Sequence, residues 1–343
     1  MAEQSKISWT DSTVNFWEGC TKVSAGCANC YAEARDKRFT GGKLWGKGAP
    51  RRKSKSAVKD ALRYNKLPWI CDKCGGSNVE AVFDADLKQS LRGDVSGNIT
   101  VCRDCNSMNY HRRRIFSLSL GDWLDDEVPI EWLAEMLDTI RQCSDVTWIL
   151  CTKRPENFKE RLTRVMMWFE NTPCTKQGTS TWHWVLNWVT DISGVCAPKN
   201  IILLTSVENQ EAADKRIPEL LNIPAACRGL SLEPLLGPVD LVSKKSTAAN
   251  RSSWIAKQSN EPNIHWLIIG GESGLNARPC NIDWIRSLVH QGNDSVTATF
   301  VKQMGTYMAD GMRRSGHDVK DKKGGDPAEW PTDLRVQQWP KGF

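Results

Sequence analysis

The sequence predicts an α/β protein, a partial or complete parallel (β/α) barrel that carries a small inserted cysteine-rich module. Three observations predict this fold class. Beyond residue 112, short apolar runs alternate with amphipathic segments, as in βα units. Two Cys-x2-Cys pairs lie between residues 71 and 105. The chain has 343 residues, 40% of them hydrophobic and 25% charged, which is enough for one large domain and a smaller module.

The apolar runs are typical of buried strands. A first strand should end near Cys20, and later strands are expected at 114–120, 146–151, 201–207, 228–232, 265–269 and 297–301. Apolar residues at helical spacing predict helices over 130–143, 210–221 and 282–290. Because strands that alternate with helices pair in parallel, this order predicts one parallel sheet.

A polar, mostly charged residue follows each of these later strands. These residues are Asp122, Lys153, Glu208, Glu233, Glu272 and Lys302. In parallel α/β folds the carboxyl ends of the strands converge on the ligand site. We therefore expect these side chains to share one site.

Basic residues are unevenly distributed, although the net charge is only +6. Residues 35–66 hold 12 Lys or Arg and two acidic residues, and His111-Arg112-Arg113-Arg114 forms a second cluster. Local positive charge suits phosphate groups and favours a nucleic-acid or nucleotide partner. The 16 tryptophans could fill a core or stack on bases.

Three segments look irregular. They are the basic, Gly-rich 33–66, the segment 170–198 with Trp182, Trp184 and Trp188, and the Ser/Asn/Lys-rich 243–262. No apolar run of about 18 residues predicts a transmembrane helix, and the N-terminus lacks the order of a secretory signal. We therefore expect no membrane partner and a reducing cytoplasm, where 13 cysteines favour metal or redox chemistry over disulfides.

Four cysteines, Cys71, Cys74, Cys102 and Cys105, form two Cys-x2-Cys pairs whose thiolates can hold one tetrahedral Zn²⁺. The stretches 79–83 and 99–101 between the pairs can form the hairpin of a zinc ribbon. An iron–sulfur site or a redox pair is the alternative. We predict a zinc-ribbon module at 67–112, inserted between barrel segments 1–66 and 113–343.

Three more cysteines, Cys20, Cys27 and Cys30, have no fourth cysteine nearby. Three thiolates can hold a 4Fe–4S cluster and leave one iron open to an exogenous ligand. A zinc site completed by a distant ligand, or three unrelated buried thiols, would have the same spacing.

The stretch from Trp9 to Glu33, with the motif Gly19-Cys20-Thr21-Lys22-Val23-Ser24-Ala25-Gly26-Cys27-Ala28-Asn29-Cys30-Tyr31, resembles the opening of a phage and prophage family of radical-SAM proteins. The resemblance spans nearly the whole chain through Thr152-Lys153-Arg154-Pro155, Val207-Glu208-Asn209-Gln210, Leu232-Glu233-Pro234-Leu235-Leu236-Gly237, Gly270-Gly271-Glu272-Ser273-Gly274 with Arg278-Pro279, and Val301-Lys302-Gln303. The ribbon and residues 33–66 lie outside the family core.

The resemblance implies a radical-SAM barrel whose cluster, on Cys20, Cys27 and Cys30, binds S-adenosylmethionine and yields a 5′-deoxyadenosyl radical. It also implies roles for other residues. Asp122 would accept the methionine amino group, and Lys153 or Arg154 would pair with its carboxylate. Ser206 and Glu208 would hold the ribose or methionine moiety, and Tyr31 would stack on adenine. The residues left for the substrate and its chemistry are Glu233, Glu272, Arg278 and Lys302, with Lys153 a candidate for both sets.

Similar family members are associated with hypermodified thymines of phage DNA. The resemblance therefore implies an isomerase that converts N-linked glycyl-thymine to the carbon-linked form, in DNA or in a modified thymidine nucleotide. It would act in the host cytoplasm with an external electron donor. A base inside duplex DNA would have to be extruded, for which basic loops and exposed tryptophans would serve.

Other functions remain alternatives at this point. They are another radical-SAM reaction on a nucleotide, RNA or peptide, a DNA-lesion lyase, and a non-enzymatic zinc-ribbon protein that binds nucleic acid.

Overall fold

A computed structural model of the chain describes residues 5–82, 99–172, 176–191, 195–242, 253–255, 263–315 and 319–343. The strands in these ranges are β1 Ser12–Thr13, β2 Trp17–Glu18, β3 Arg52–Lys53, β4 Trp69–Cys71, β5 Val79–Val82, β6 Ile99–Cys102, β7 Tyr110–Arg112, β8 Arg114–Phe116, β9 Thr147–Thr152, β10 Ile201–Ser206, β11 Cys227–Leu232, β12 Trp266–Gly270 and β13 Ala298–Gln303. The α-helices are α1 Tyr31–Thr40, α2 Ala57–Asn65, α3 Ile130–Gln142, α4 Phe158–Glu170, α5 Lys176–Thr190, α6 Gln210–Leu221, α7 Ile282–Ser295 and α8 Thr306–Arg314.

Seven strands form one open sheet in the order β1-β8-β9-β10-β11-β12-β13. Every neighbouring pair in it is parallel. Helices α3, α6 and α7 lie in the connections that lead to β9, β11 and β13. Every residue of β10 and β11 is buried, as expected for parallel strands covered on both faces. The sheet is therefore a half-barrel, the partial form of the predicted architecture.

The six later predicted strands and the three predicted helices are confirmed, with shifts of a few residues at their ends. The first strand of the sheet, β1, ends at Thr13 and not near Cys20, because Trp17–Glu18 pairs with β3 outside the sheet. Among the later strands the largest shift is in β8, which ends at Phe116 instead of residue 120. The side chain of Asn15 accepts a hydrogen bond from the Leu120 N–H at 2.9 Å, and the Leu120 carbonyl accepts one from the Gly19 N–H at 3.0 Å. These bonds satisfy the backbone at Leu120 outside the sheet.

Two segments predicted as irregular contain helices. Helices α1 and α2 lie largely within 33–66, and α2 buries Ala57, Ala61 and Tyr64 along one face. The segment 170–198 contains α5, which buries Val185 and Trp188. Some of the polar residues that suggested a loop are buried inside these segments, among them Asp36 in α1 and Thr181 in α5. Most of the predicted loop 243–262 lies outside the described residues.

The tryptophans serve the core. None of the sixteen is exposed, and all sixteen lie in the described part of the chain. Trp17, Trp123, Trp148, Trp188 and Trp266 are among the largest fully buried side chains. Trp123 stacks on Trp188 with ring centroids 6.4 Å apart. The expectation that exposed tryptophans assist base extrusion is therefore wrong, because burying these large rings stabilises the fold instead.

The cysteine-rich module forms two antiparallel pairs outside the main sheet, β4 with β7 and β5 with β6. The pair β5–β6 is the predicted hairpin, although Phe83 lies outside the described residues. Strand β7 ends at Arg112 and β8 begins at Arg114, so the module joins the sheet where its strands begin. Among the described helices, none combines the length and the apolar character needed to cross a membrane.

Candidate functional site

Polar side chains converge at the carboxyl edge, the edge of the half-barrel where the parallel strands end. Lys153 Nζ donates to Ser206 Oγ at 3.0 Å. Lys302 Nζ lies 2.9 Å from Glu233 Oε1. Asp122 Oδ2 accepts a hydrogen bond from the Lys153 N–H at 2.9 Å. The structure thus brings together side chains from the carboxyl ends of separate strands.

The Cys loop, residues 20–30, contacts this edge through the buried carboxylate of Glu208. Glu208 Oε1 accepts a hydrogen bond from the Gly26 N–H at 3.3 Å, and Glu208 Oε2 accepts one from Arg216 Nη1 at 2.7 Å. A Cβ atom on residue 26 would lie 3.2 Å from the carboxylate carbon, so glycine permits this close contact. Burial opposes the charge, but hydrogen bonds from Ser24 and Arg216 lower the pKa of Glu208.

The buried carboxylate of Glu272 makes a second connection to the Cys loop. Asn29 Nδ2 donates to Glu272 Oε2 at 3.0 Å. Arg278 Nη2 donates to Glu272 Oε1 at 2.6 Å, and Arg278 Nη1 donates to the Ala25 carbonyl at 2.9 Å. Burial opposes ionisation, but the bonds from Arg278 and Asn29 lower the pKa of Glu272. Two ionised carboxylates therefore hold the loop from β10 and β12.

Cys20 lies beside a buried ion pair. Arg154 Nη1 donates to Asp122 Oδ2 at 3.0 Å and contacts Cys20 Sγ at 3.7 Å, while Arg154 Nη2 donates to the Thr21 carbonyl at 2.7 Å. Burial and the neighbouring Asp122 raise the pKa of the Cys20 thiol to about 12, although Arg154 opposes this. A thiolate at Cys20 therefore requires positive charge beyond that of Arg154.

Lys153 and Ser206 lie under the Cys loop. Cys151 Sγ is 3.5 Å from Ser206 Oγ, which also accepts the hydrogen bond from Lys153. Burial opposes the ammonium charge, but the nearby sulfurs of Cys27 and Cys151 when ionised, and the carboxylates of Glu208 and Asp122, raise the pKa of Lys153. Lys153 is therefore a cation at neutral pH at this edge.

Tyr31 begins α1 directly after Cys30. Its hydroxyl donates to the Ser119 carbonyl, while 58% of its surface is exposed. Asn15 Nδ2 donates to Ser119 Oγ at 3.0 Å and supports that segment. The ring of Tyr31 is thus available for stacking.

These contacts divide the predicted site residues into two groups. One group contacts the Cys loop directly or through an ion pair with a residue that does, and consists of Asp122, Arg154, Glu208, Glu272 and Arg278. The residues that face one another at the edge, without contacting the loop backbone, are Lys153, Ser206, Glu233 and Lys302. The sequence interpretation overlooked Asn29 and Gly26, although their place between the cysteines marked them for attention.

The second cysteine group closes around a single point. The sulfur atoms of Cys71, Cys74, Cys102 and Cys105 all lie within 4.8 Å of one another. Sγ atoms are 3.5 Å apart in the pairs Cys71–Cys105 and Cys74–Cys102. Zn–S bonds of about 2.3 Å place tetrahedral sulfurs about 3.8 Å apart, so these four could hold a metal ion. Within the described ranges no other three or more Cys, His, Asp or Glu ligand atoms are so close together, the Cys-loop sulfurs included.

The backbone around these four sulfurs forms two matching turns. Gly75 N–H donates to the Cys71 carbonyl at 2.9 Å, and Asn106 N–H donates to the Cys102 carbonyl at 2.8 Å. Gly75 (φ 71°) and Asn106 (φ 55°) both adopt the left-handed conformation, which glycine and asparagine accept most readily. Hydrogen bonds from backbone N–H groups, first that of Cys74, lower the pKa of Cys71 to about 6. The side-chain contacts among the four thiols raise the pKa of Cys74 and Cys105 instead, so the two pairs share their turn geometry and differ in the acidity of their thiols.

The basic cluster His111–Arg114 is not an exposed phosphate-binding patch. Arg113 and Arg114 are buried. His111 Nδ1 is 2.6 Å from Asp72 Oδ1, and His111 Nε2 is 3.1 Å from Asp11 Oδ2. Arg114 Nε also bonds Asp11 Oδ2, at 3.2 Å. His111 and Arg114 instead join the cysteine-rich module to the start of β1 and β8 through Asp11, while Arg112 stays exposed with its guanidinium 5.8 Å from the ring of Trp69.

Part of the basic segment 33–66 is also internal. Arg51 Nε donates to the fully buried Asp125 at 2.9 Å, and Arg51 Nη2 donates to Thr21 Oγ1 at 2.8 Å. Exposed cations remain on α1, where the guanidinium groups of Arg35 and Arg38 lie 5.8 and 5.1 Å from the ring of Phe39. Phe39 is 66% exposed. Arg35 Nη1 also lies 3.4 Å from Glu18 Oε1.

The fold and the site define an α/β half-barrel protein with a cysteine-bearing loop at its carboxyl edge and a separate four-cysteine group. A family model described as "Protein of unknown function (DUF5131)" matches residues 4–329, and the chain belongs to this family. No curated protein and no solved structure matches the chain.

Proposed function

We propose that this protein is a radical-SAM enzyme whose cluster site is the Cys loop. One observation carries the proposal. The loop with three cysteines lies over the carboxyl edge of a parallel half-barrel, where Glu208 and Glu272 hold it from two strands. This is the edge at which parallel α/β folds bind their ligands.

The chemistry of the loop thiols fits a 4Fe–4S cluster on Cys20, Cys27 and Cys30. The Cys20 thiol needs a cation to ionise, which iron supplies. A single tetrahedral ion would draw its sulfurs together as in the four-cysteine group, whereas a cubane binds each thiolate to a different iron. When bound and reduced, the cluster with S-adenosylmethionine supplies a 5′-deoxyadenosyl radical that removes a hydrogen atom from the substrate.

The surrounding residues would bind and orient the ligands. Tyr31 presents an exposed ring for adenine, and Lys153 offers an ammonium group beside Ser206 for a carboxylate or a ribose hydroxyl. Arg154 contacts the sulfur of Cys20, and Asp122 accepts a hydrogen bond from the backbone N–H of Lys153 at the end of β9. Glu233 and Lys302 remain for the substrate.

We propose a modified thymine of phage DNA as the substrate, with the glycyl group moved from its nitrogen linkage to a carbon linkage. The exposed Phe39 with its two arginines supports a nucleic-acid partner, because α1 begins directly after Cys30. An aromatic ring can stack on a base while guanidinium groups contact phosphate. Atoms balance if the abstracted hydrogen is returned, and the product then has the mass of the substrate.

We also propose that the four-cysteine group holds Zn²⁺ and has a structural role. It lies where the strands of the half-barrel begin, at the edge opposite the Cys loop. A closed four-thiolate site leaves no open position for a substrate. The two cysteine groups would then hold different metals for different purposes.

The test of the proposed reaction supplies DNA that contains N-linked glycyl-thymine, together with S-adenosylmethionine and a reductant, under anaerobic conditions. We expect a product of unchanged mass that elutes separately, and its formation should require both S-adenosylmethionine and Cys27. Cleavage of S-adenosylmethionine with turnover only on an RNA, a peptide or a lesion would reject the substrate and keep the enzyme class.

A further inference from the structure

Glu233 and Lys302 form an ion pair at the carboxyl edge. Lys302 Nζ lies 2.9 Å from Glu233 Oε1, and the two side chains are 24% and 11% exposed, respectively. Glu233 follows β11 and Lys302 lies in β13, so the pair spans the end of the intervening strand β12. The carboxylate of Glu233 and the ammonium of Lys302 are thus half-buried together above the end of β12.

The pair can form because β12 ends in a glycine. A Cβ atom on residue 270 would lie 2.8 Å from Glu233 Oε1 and 3.3 Å from Gln303 Cγ. Any side chain at this position would push the carboxylate aside. Gly270 therefore leaves room above β12 for the charged groups.

The other carboxylates at this edge are committed to the Cys loop or to its support, and the ammonium of Lys153 donates to Ser206 Oγ. Glu208 and Glu272 bind the backbone or side chains of that loop, and Asp122 binds Arg154. Within the described ranges, the structure gives Glu233 and Lys302 no ion-pair partner except each other. Glu233 also interacts electrostatically with Tyr31, which directly follows Cys30, and with Cys151, whose sulfur is 3.5 Å from Ser206 Oγ.

We propose that Glu233 and Lys302 bind an amino-acid group of the substrate, Glu233 taking its ammonium and Lys302 its carboxylate. This inference rests on the proposed function, because it concerns the same site. A zwitterion replaces one internal ion pair with two charge-assisted hydrogen bonds, whereas a ligand with one charge leaves one member of the pair without its partner. The pair thus selects substrates that carry both charges.

The test measures equilibrium binding of three nucleosides to the full chain by calorimetry. The first is N-glycyl-thymidine, the second is its methylaminomethyl analogue without the carboxylate, and the third is its carboxyethyl analogue without the amine. We expect the zwitterion to bind roughly tenfold or more tightly than either analogue. In Glu233→Gln, the zwitterion should bind no more tightly than the amine-free analogue. In Lys302→Gln, the zwitterion should bind no more tightly than the carboxylate-free analogue.

Asp333→Asn is the matched control, because it removes an exposed carboxylate that pairs with Arg286 and not with Glu233 or Lys302, and it should leave all three affinities unchanged. Equal affinities for the three nucleosides would overturn the inference. So would variants that are destabilised but keep the wild-type preference, because that result would show a purely structural ion pair.

The readouts separate this inference from the proposed function. Binding is measured without turnover, so a chain that holds no iron and cleaves no S-adenosylmethionine can still show the preference. An enzyme that cleaves S-adenosylmethionine but shows no preference keeps the proposed class and loses the zwitterion site.

Discussion

Asn29, which lies between two cysteines of the Cys loop, donates its side-chain amide to Glu272 Oε2 at 3.0 Å. The two residues are 243 positions apart in the chain. This bond, with those of Arg278, joins the loop to the end of β12. The placement of the loop is therefore a property of the sheet and its carboxylates as well as of the loop itself.

Glu272→Ala tests this connection. The change removes the carboxylate acceptor of Asn29 and Arg278 and leaves each with a backbone carbonyl, that of Asn276 and that of Ala25 respectively. We expect a loss of about 1–3 kcal/mol in the free energy of unfolding and weaker retention of iron. Chemical denaturation and iron analysis after gel filtration measure the two effects. Asp283→Asn, at an exposed partner of Arg286, is the control and should change neither. Full iron retention in Glu272→Ala would contradict a role in holding the loop.

Arg51→Met tests whether the basic segment is partly structural. Arg51 and Asp125 are almost fully buried, so removal of the arginine leaves an uncompensated charge. We expect a loss of about 3–5 kcal/mol in the free energy of unfolding. Arg52→Met, at an exposed pair with Glu18, should cost under about 1 kcal/mol. Equal effects in urea titrations would show that Arg51 has no special structural role.

The buried carboxylate of Asp11 should stabilise the fold at neutral pH and lose this effect in acid. Burial alone would raise its pKa, but hydrogen bonds and charges from His111 and Arg114 lower it to about 2, from an ordinary value of 3.8. Because the folded pKa is depressed, the contribution is complete above about pH 4 and is lost as the pH falls through about 2. Its size is about 2 kcal/mol. Unfolding free energies measured from pH 7 to pH 2 should fall less steeply for Asp11→Asn, and an unchanged slope would refute the assignment.

Cys74→Ser tests the separation of the two metal sites. We expect it to abolish zinc binding and to expose the cysteine-rich module to protease, while iron content and S-adenosylmethionine cleavage persist. Cys196→Ser is the matched control, because Cys196 is an exposed thiol outside both groups. Metal analysis and limited proteolysis report the result. Loss of both metals in a folded Cys74→Ser chain would mean that the sites are not independent.

The periodicity of the sequence was sufficient to predict the half-barrel strands, because a buried parallel strand such as β10 is a continuous apolar run. The same criterion failed for α5, whose buried face is interrupted by threonine and polar residues. Helix α5 is stabilised by the burial of Trp188 and Val185 against the core. A short stretch of sequence does not reveal such long-range packing.

The candidate site shows the same limit. Polarity at the strand ends was enough to predict that Glu272 and Lys302 lie at one edge. It could not show that Glu272 holds the Cys loop while Lys302 pairs with Glu233, because both contacts join residues distant in the sequence. The four-cysteine group was easier to predict, since the two short spacings alone prepare its sulfurs to meet.

The iron content of anaerobically reconstituted protein tests the central claim most directly. The account predicts a brown protein with about four irons per chain. Iron should be lost in Cys27→Ala and retained in Cys74→Ser. A colourless wild-type protein that binds zinc at both cysteine groups and no iron would contradict the account and favour a zinc-ribbon protein that binds nucleic acid.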